Sequence, residues 1–221
     1  LKSIYIDLNK VDEYADFAST IPGGANFDVN ERDSLTYVAA ERVYMRGETA
    51  DARNSFIRYL QTFPEGAFSL NANYYIGLID YNQQNYASAA PYLNKVLEYP
   101  NNKYSEEAMM MSAEIAYIAK DYAQSLEWYK LLKDRASTPE RRQIAATGML
   151  RSAAMSGNGE ETILAATGVL ADAKVAPELE SEARHYRSKA LVEANQLTHA
   201  VADWEALAKD TRNVYGAEAK Y

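Results

Sequence analysis

The chain has 221 residues, 48% of them apolar, which is enough to bury one large core or two small ones. Its 23 Lys and Arg stand against 31 Asp and Glu, and the resulting net charge of −8 opposes condensation onto phosphate polymers. It has no cysteine, so thiol catalysis, thiolate metal sites and disulfides are all excluded, and no apolar run approaches the roughly 18 to 20 residues that span a bilayer.

The chain opens at Leu1 in amphipathic sequence, with neither a methionine nor a signal pattern, and closes on VYGAEAKY, which resembles the first turns of a helix cut short. It reads as a piece of a longer protein. Between the ends one register recurs: a small residue, a bulky one four later, and further apolar residues seven or eight later. The reference positions are Tyr14, Ala52, Ala89, Ser125, Thr162 and Ala200, at intervals of 36 to 38. Phe56, Leu93, Tyr129 and Trp204 are the bulky partners, while Ala18 and Ala166 break the rule. Twelve residues before the reference stand Ala40, Gly77, Ala113 and Ser188, with Leu150 the exception. In chain order the expected units are a partial repeat at 1–30, complete repeats at 33–66, 70–102, 105–137, 139–174 and 178–213, and the start of another at 215–221. Self-similarity at such a period is the mark of a solenoid of stacked supersecondary units.

Within each unit the apolar spacing is helical, as at Ala89, Leu93, Val96 and Leu97, and does not alternate as in a strand. Short polar segments at 82–85, 119–121 and 156–159 allow an antiparallel turn between two helices. Pro64 and Pro100 follow helices, Pro139 and Pro177 suit a first helical position, and Thr138 is a fitting N-cap. Gly77 and Ala89 let two helix axes approach, while Phe56, Tyr129 or Trp204 fills the wider gap toward the next pair.

Gly77, Tyr81, Tyr86, Ala89, Leu93, Val96 and Pro100 together resemble the small, aromatic, alanine and proline positions of the tetratricopeptide repeat family, and the likeness covers nearly the whole chain. The family period is about 34, so the extra residues here fall in loops. The long period, the FPEG and YPNN endings and the tyrosine-rich first helices are similar to the cell-envelope branch found in Gram-negative bacteria. The resemblance implies an all-α, right-handed superhelix of antiparallel helix pairs, a noncatalytic role, protein or peptide partners, and a periplasmic or outer-membrane-associated setting without membrane insertion of this segment. The truncated ends could also pair two copies weakly. A cytosolic peptide-sensing regulator is the alternative setting.

Catalytic constellations are sparse. His185 and His199 lack the HExxH pattern of a zinc site, GNG at 157–159 follows no strand, and Glu106, Glu107, Glu160 and Glu161 suit first turns of helices, where the dipole favours them. Met109 to Met111 reads as packing. No metal, cofactor or catalytic group is expected. An RNA-binding helical array is disfavoured by the charge, and an α-helical enzyme by the missing convergence of groups.

Binding is the better expectation. Residues at relative positions 2, 5, 9 and 12 of the first helices share one face. These slots hold Tyr37, Glu41 and Tyr44; then Asn71, Tyr74, Leu78 and Tyr81; then Glu107, Met110, Glu114 and Tyr117; then Thr147 and Arg151; and finally His185 and Lys189. The expected groove is thus tyrosine-rich in its first repeats and more basic toward the C-terminus. A clamp for acidic chaperone tails is not expected, because Tyr74 and Leu78 occupy the slots that would need basic and asparagine side chains.

Overall fold

The computed structural model describes residues 1–22, 28–99, 101–209, 214–216 and 219. The chain is all-α, and its described residues form helices and no strands. Pro100 and most of 215–221 lie outside those residues, as do parts of the expected units 1–30 and 178–213. The chain divides into two compact units, Leu1–Ala108 and Met109–Tyr221.

In the first unit α1 (Lys2–Asp7) pairs with α2 (Val11–Ser19), α3 (Val29–Met45) with α4 (Thr49–Thr62), and α5 (Ser69–Asn82) with α6 (Tyr86–Leu97). The unit boundary falls within α7 (Ser105–Ile118). The second unit continues with α8 (Tyr122–Arg135), α9 (Pro139–Ser156), α10 (Gly159–Leu170), α11 (Pro177–Glu193) and α12 (Leu197–Lys209). Inside each unit a helix packs on helices one or two places away in sequence, α1 reaching α3 and α9 reaching α11. That nearest-neighbour packing is the construction of an α-solenoid.

The turns repeat as strictly as the helices. Asn9, Gly47, Gln84, Lys120, Gly157 and Asn195 all adopt left-handed backbone, with φ between 56° and 80°, and each lies five residues before a reference position. Four of these turns carry the closing hydrogen bond of a Schellman motif, from the next amide back to a carbonyl five residues earlier: Lys10 to Tyr5, Asn85 to Asp80, Asp121 to Ala116 and Gln196 to Leu191, at 2.8–2.9 Å. Four helix starts carry a side-chain cap, of which the sequence implied the one at Thr138. Thr138 accepts from the Arg141 amide with Pro139 at the first turn, and Asp28, Asp121 and Asn158 cap α3, α8 and α10.

The reference residues after Tyr14 are all buried, as are Ala40, Gly77, Ala113, Leu150 and Ser188. A Cβ on Gly77 would come within 2.8 Å of the Leu93 side chain, so the small residue sets how closely α5 and α6 cross. Two of the bulky partners reach forward to the next pair, whereas Leu93 packs within its own. Phe56 of α4 stacks on Tyr75 of α5 at 5.2 Å, and Tyr129 of α8 lies so close to α9 that a Cβ on Gly148 would overlap its ring. Met109 and Met111 are buried packing residues.

Three polar knots are built into these layers. Tyr59 donates to Asp33 at 2.5 Å and accepts from the Phe68 amide, while Asp33 also accepts from the Ala67 amide, fixing the loop that leads into α5. A Cβ on Gly66 would sit 2.5 Å from the Tyr59 hydroxyl, so the glycine of FPEG is there for close approach. Asp80, 1% exposed, takes two bonds from Arg53 at 2.6 and 2.8 Å and one from Ser88 at 2.7 Å. In the second unit Asp203, also 1% exposed, is held by Arg187 at 2.7 and 2.8 Å and by Arg184 at 3.1 Å.

Candidate functional site

The expected tyrosine row divides once side chains are placed. Tyr37 is 3% exposed, stacked on Phe68 at 4.5 Å, with its hydroxyl donating to Glu41 and accepting from Asn71. Tyr74 is 6% exposed and stacks on Tyr104 at 3.9 Å. Burial pushes both phenols well above their ordinary range, and a bond to Glu107 raises Tyr74 further. These two belong to the core, a correction to the expectation that they line an open face. The cause is the following segment: Phe68 and Tyr104, each just before a helix, close over the rings of the preceding pair. Glu41, Tyr44, Asn71, Leu78 and Tyr81 remain half-buried, Tyr44 leaning on Tyr75 and Tyr81 on Tyr86.

Convergence occurs in the second unit. A cleft of about 570 Å³ opens between α7, α8 and α9, lined by Glu114 and Tyr117 from α7, Tyr129 from α8, and Glu140, Gln143, Ile144, Thr147, Gly148 and Arg151 from α9. Of the residues expected from the sequence, Glu114, Tyr117, Thr147 and Arg151 meet here, while the half-buried Met110 does not line it. Tyr129, 7% exposed, is its floor. Burial pushes the Tyr129 phenol up to about 12, the Glu114 charge adds to the rise, and Arg151 works against it. Burial likewise raises Tyr117, with Tyr122 ring-edge packed on it at 5.2 Å. Arg151, expected to make this end of the groove basic, instead donates through Nε and Nη2 to Glu182 at 2.8 Å each, and that bond raises its already high value further. The basic trend is therefore cancelled locally.

Sequence reasoning missed Tyr129, Glu140, Gln143, Ile144 and Gly148. Glu140, Ile144, Thr147 and Arg151 share one helical face, so a signal existed. Ile144 stands at relative position 2 of α9, the slot of Asn71 and Glu107, while Glu140 lies one turn earlier, because α9 runs 18 residues from Pro139 against 14 for α5 and α7; Tyr129 belongs to a second helix, where no slots were counted.

His185 and Lys189 line a separate cavity of about 420 Å³ with Val192, Glu193, Trp204, Leu207, Tyr215 and Ala219, and His185 stacks on Tyr215 at 4.3 Å. Among the described residues no group of three or more metal-ligating side chains could hold an ion, and no helix is long and apolar enough to cross a membrane.

No protein-family model and no curated protein matches the chain. Among solved structures it is similar to the TPR domain of P58(IPK), with a TM-score of 0.42 and 15% identity over 99% of this chain. The chain spans 61% of the length of that domain.

Proposed function

We propose that the protein is a noncatalytic interaction scaffold of the tetratricopeptide type, which captures a peptide or the exposed segment of a partner protein in the cleft of α7, α8 and α9. The observation that carries this reading is the cleft: an aromatic floor, a mixed rim, and walls supplied by two successive first helices and the second helix between them. Pockets of roughly 300–1,000 Å³ hold drug-sized ligands, so about 570 Å³ accommodates one or two side chains of an extended segment. Tyrosine supplies contact area and a hydroxyl at small conformational cost, which suits recognition.

A photo-crosslinking residue at Thr147 should form covalent adducts with a partner protein, whereas one at Leu164, 65% exposed on α10 and outside the cleft, should not. Equal labelling from both positions, or none from Thr147, contradicts the reading. The setting we propose is an assembly of the Gram-negative cell envelope, supported by the 36- to 38-residue register and the FPEG and YPNN loops. Fractionation that leaves the native protein in the cytosol would put the regulatory alternative in its place.

A further inference from the structure

Resting on that interaction reading, we propose that the cleft recognises a basic side chain, a lysine or arginine with apolar neighbours in an extended peptide. Two carboxylates, Glu114 and Glu140, stand on its lining. The lining's one cation among the described residues is Arg151, and its guanidinium is already closed on Glu182 by two bonds. An incoming carboxylate would therefore meet two like charges and a cation that already faces the Glu182 carboxylate through Nε and Nη2. An incoming ammonium or guanidinium meets attraction from the same groups.

The walls match the rest of such a side chain. Tyr117 presents a half-buried ring and Ile144 an exposed aliphatic group, suited to the methylene stem, while the aromatic face of the site favours a cation near it. Gly148 permits this arrangement, because any larger residue there would collide with the Tyr129 ring that forms the floor. Counted formally, the lining carries two carboxylates against one guanidinium, and Glu182 sets a third carboxylate against that same guanidinium, so the local balance is negative. Both charges are felt at the floor, where burial raises the Tyr129 phenol, Glu114 adds to the rise and Arg151 opposes it.

The probe is an array of octapeptides with one variable central position, followed by fluorescence anisotropy on the best lysine peptide and its norleucine and glutamate counterparts. Lysine or arginine peptides with apolar neighbours should dominate. The norleucine peptide should bind about tenfold more weakly, and the glutamate peptide weaker still. Glu114→Gln and Glu140→Gln should each weaken the lysine peptide by about threefold to tenfold and so narrow its advantage over the norleucine peptide. Glutamate peptides binding as tightly as lysine peptides, or indifference to both substitutions, overturns the proposal. Thr147→Phe, checked for helicity by circular dichroism, separates this failure from that of the parent reading. If it abolishes binding of every peptide irrespective of charge, the interaction cleft stands and only its basic preference falls. If it changes nothing, or if no peptide binds the unmodified protein, the cleft assignment falls as well.

Discussion

Asp80 keeps its charge at 1% exposure because Arg53 donates to both of its oxygens and Ser88 to one. Burial alone would raise its carboxyl, but the bonds from Arg53 and Ser88 and the Arg53 charge outweigh it and leave the group below its ordinary value. A depressed folded value means that the stabilisation is present above the unfolded carboxylate range, near ~3.9, and is lost as pH falls through the folded value. Asp80→Asn should therefore destabilise by about 2–4 kcal/mol at neutral pH, since it leaves Arg53 facing a neutral amide. It should also flatten the acid limb of stability against pH, which urea denaturation across pH 2 to 7 would show. An unchanged acid limb would mean that another carboxylate governs it. Nothing in IGLIDY advertised this acid: the helical period puts Asp80 beside Ile76 and Ile79 in sequence, but only the approach of α4 shows what neutralises it. Tyr37 and Tyr74 were misplaced for the same reason. Spacing assigns a face, and the depth of that face depends on how closely the following segment lies.

At the scale of elements, the sequence was more legible. The small and bulky positions locate the crossings, because a mismatch of one methylene is felt at a close-packed interface, and every small slot after Tyr14 is buried. The turns were legible only as polar gaps. Their common left-handed residue is glycine at Gly47 and Gly157 but Asn, Gln or Lys at the other four positions, so no residue type marked it. Gln84 and Lys120 bear a conformation that costs a side-chain-bearing residue about 1 kcal/mol or more. Lys120→Gly should relieve that strain, less the entropy that glycine gives up on folding, for a gain of about 0.5 kcal/mol. Lys120→Val, with its branched Cβ, should lose more than 1 kcal/mol, about the scale set by the same strain. Thermal unfolding of the pair reads both, and a Val variant as stable as the Gly one would show that this turn does not demand left-handed backbone.

For the molecule as a whole, each unit's stability should be a sum of local terms, because helices pack on their sequence neighbours. Asp203 is the sharpest place to perturb it, being buried in α12 and bonded to Arg184 and Arg187 of α11. Hydrogen exchange read by mass spectrometry on Asp203→Asn is the most direct measurement of this stacking account. Exchange should speed in α11 and α12, with a smaller change in α10, while α3 to α5 keep the protection of the unmodified protein. Uniform loss of protection from α3 to α12 would contradict it, because that is the response of one indivisible core.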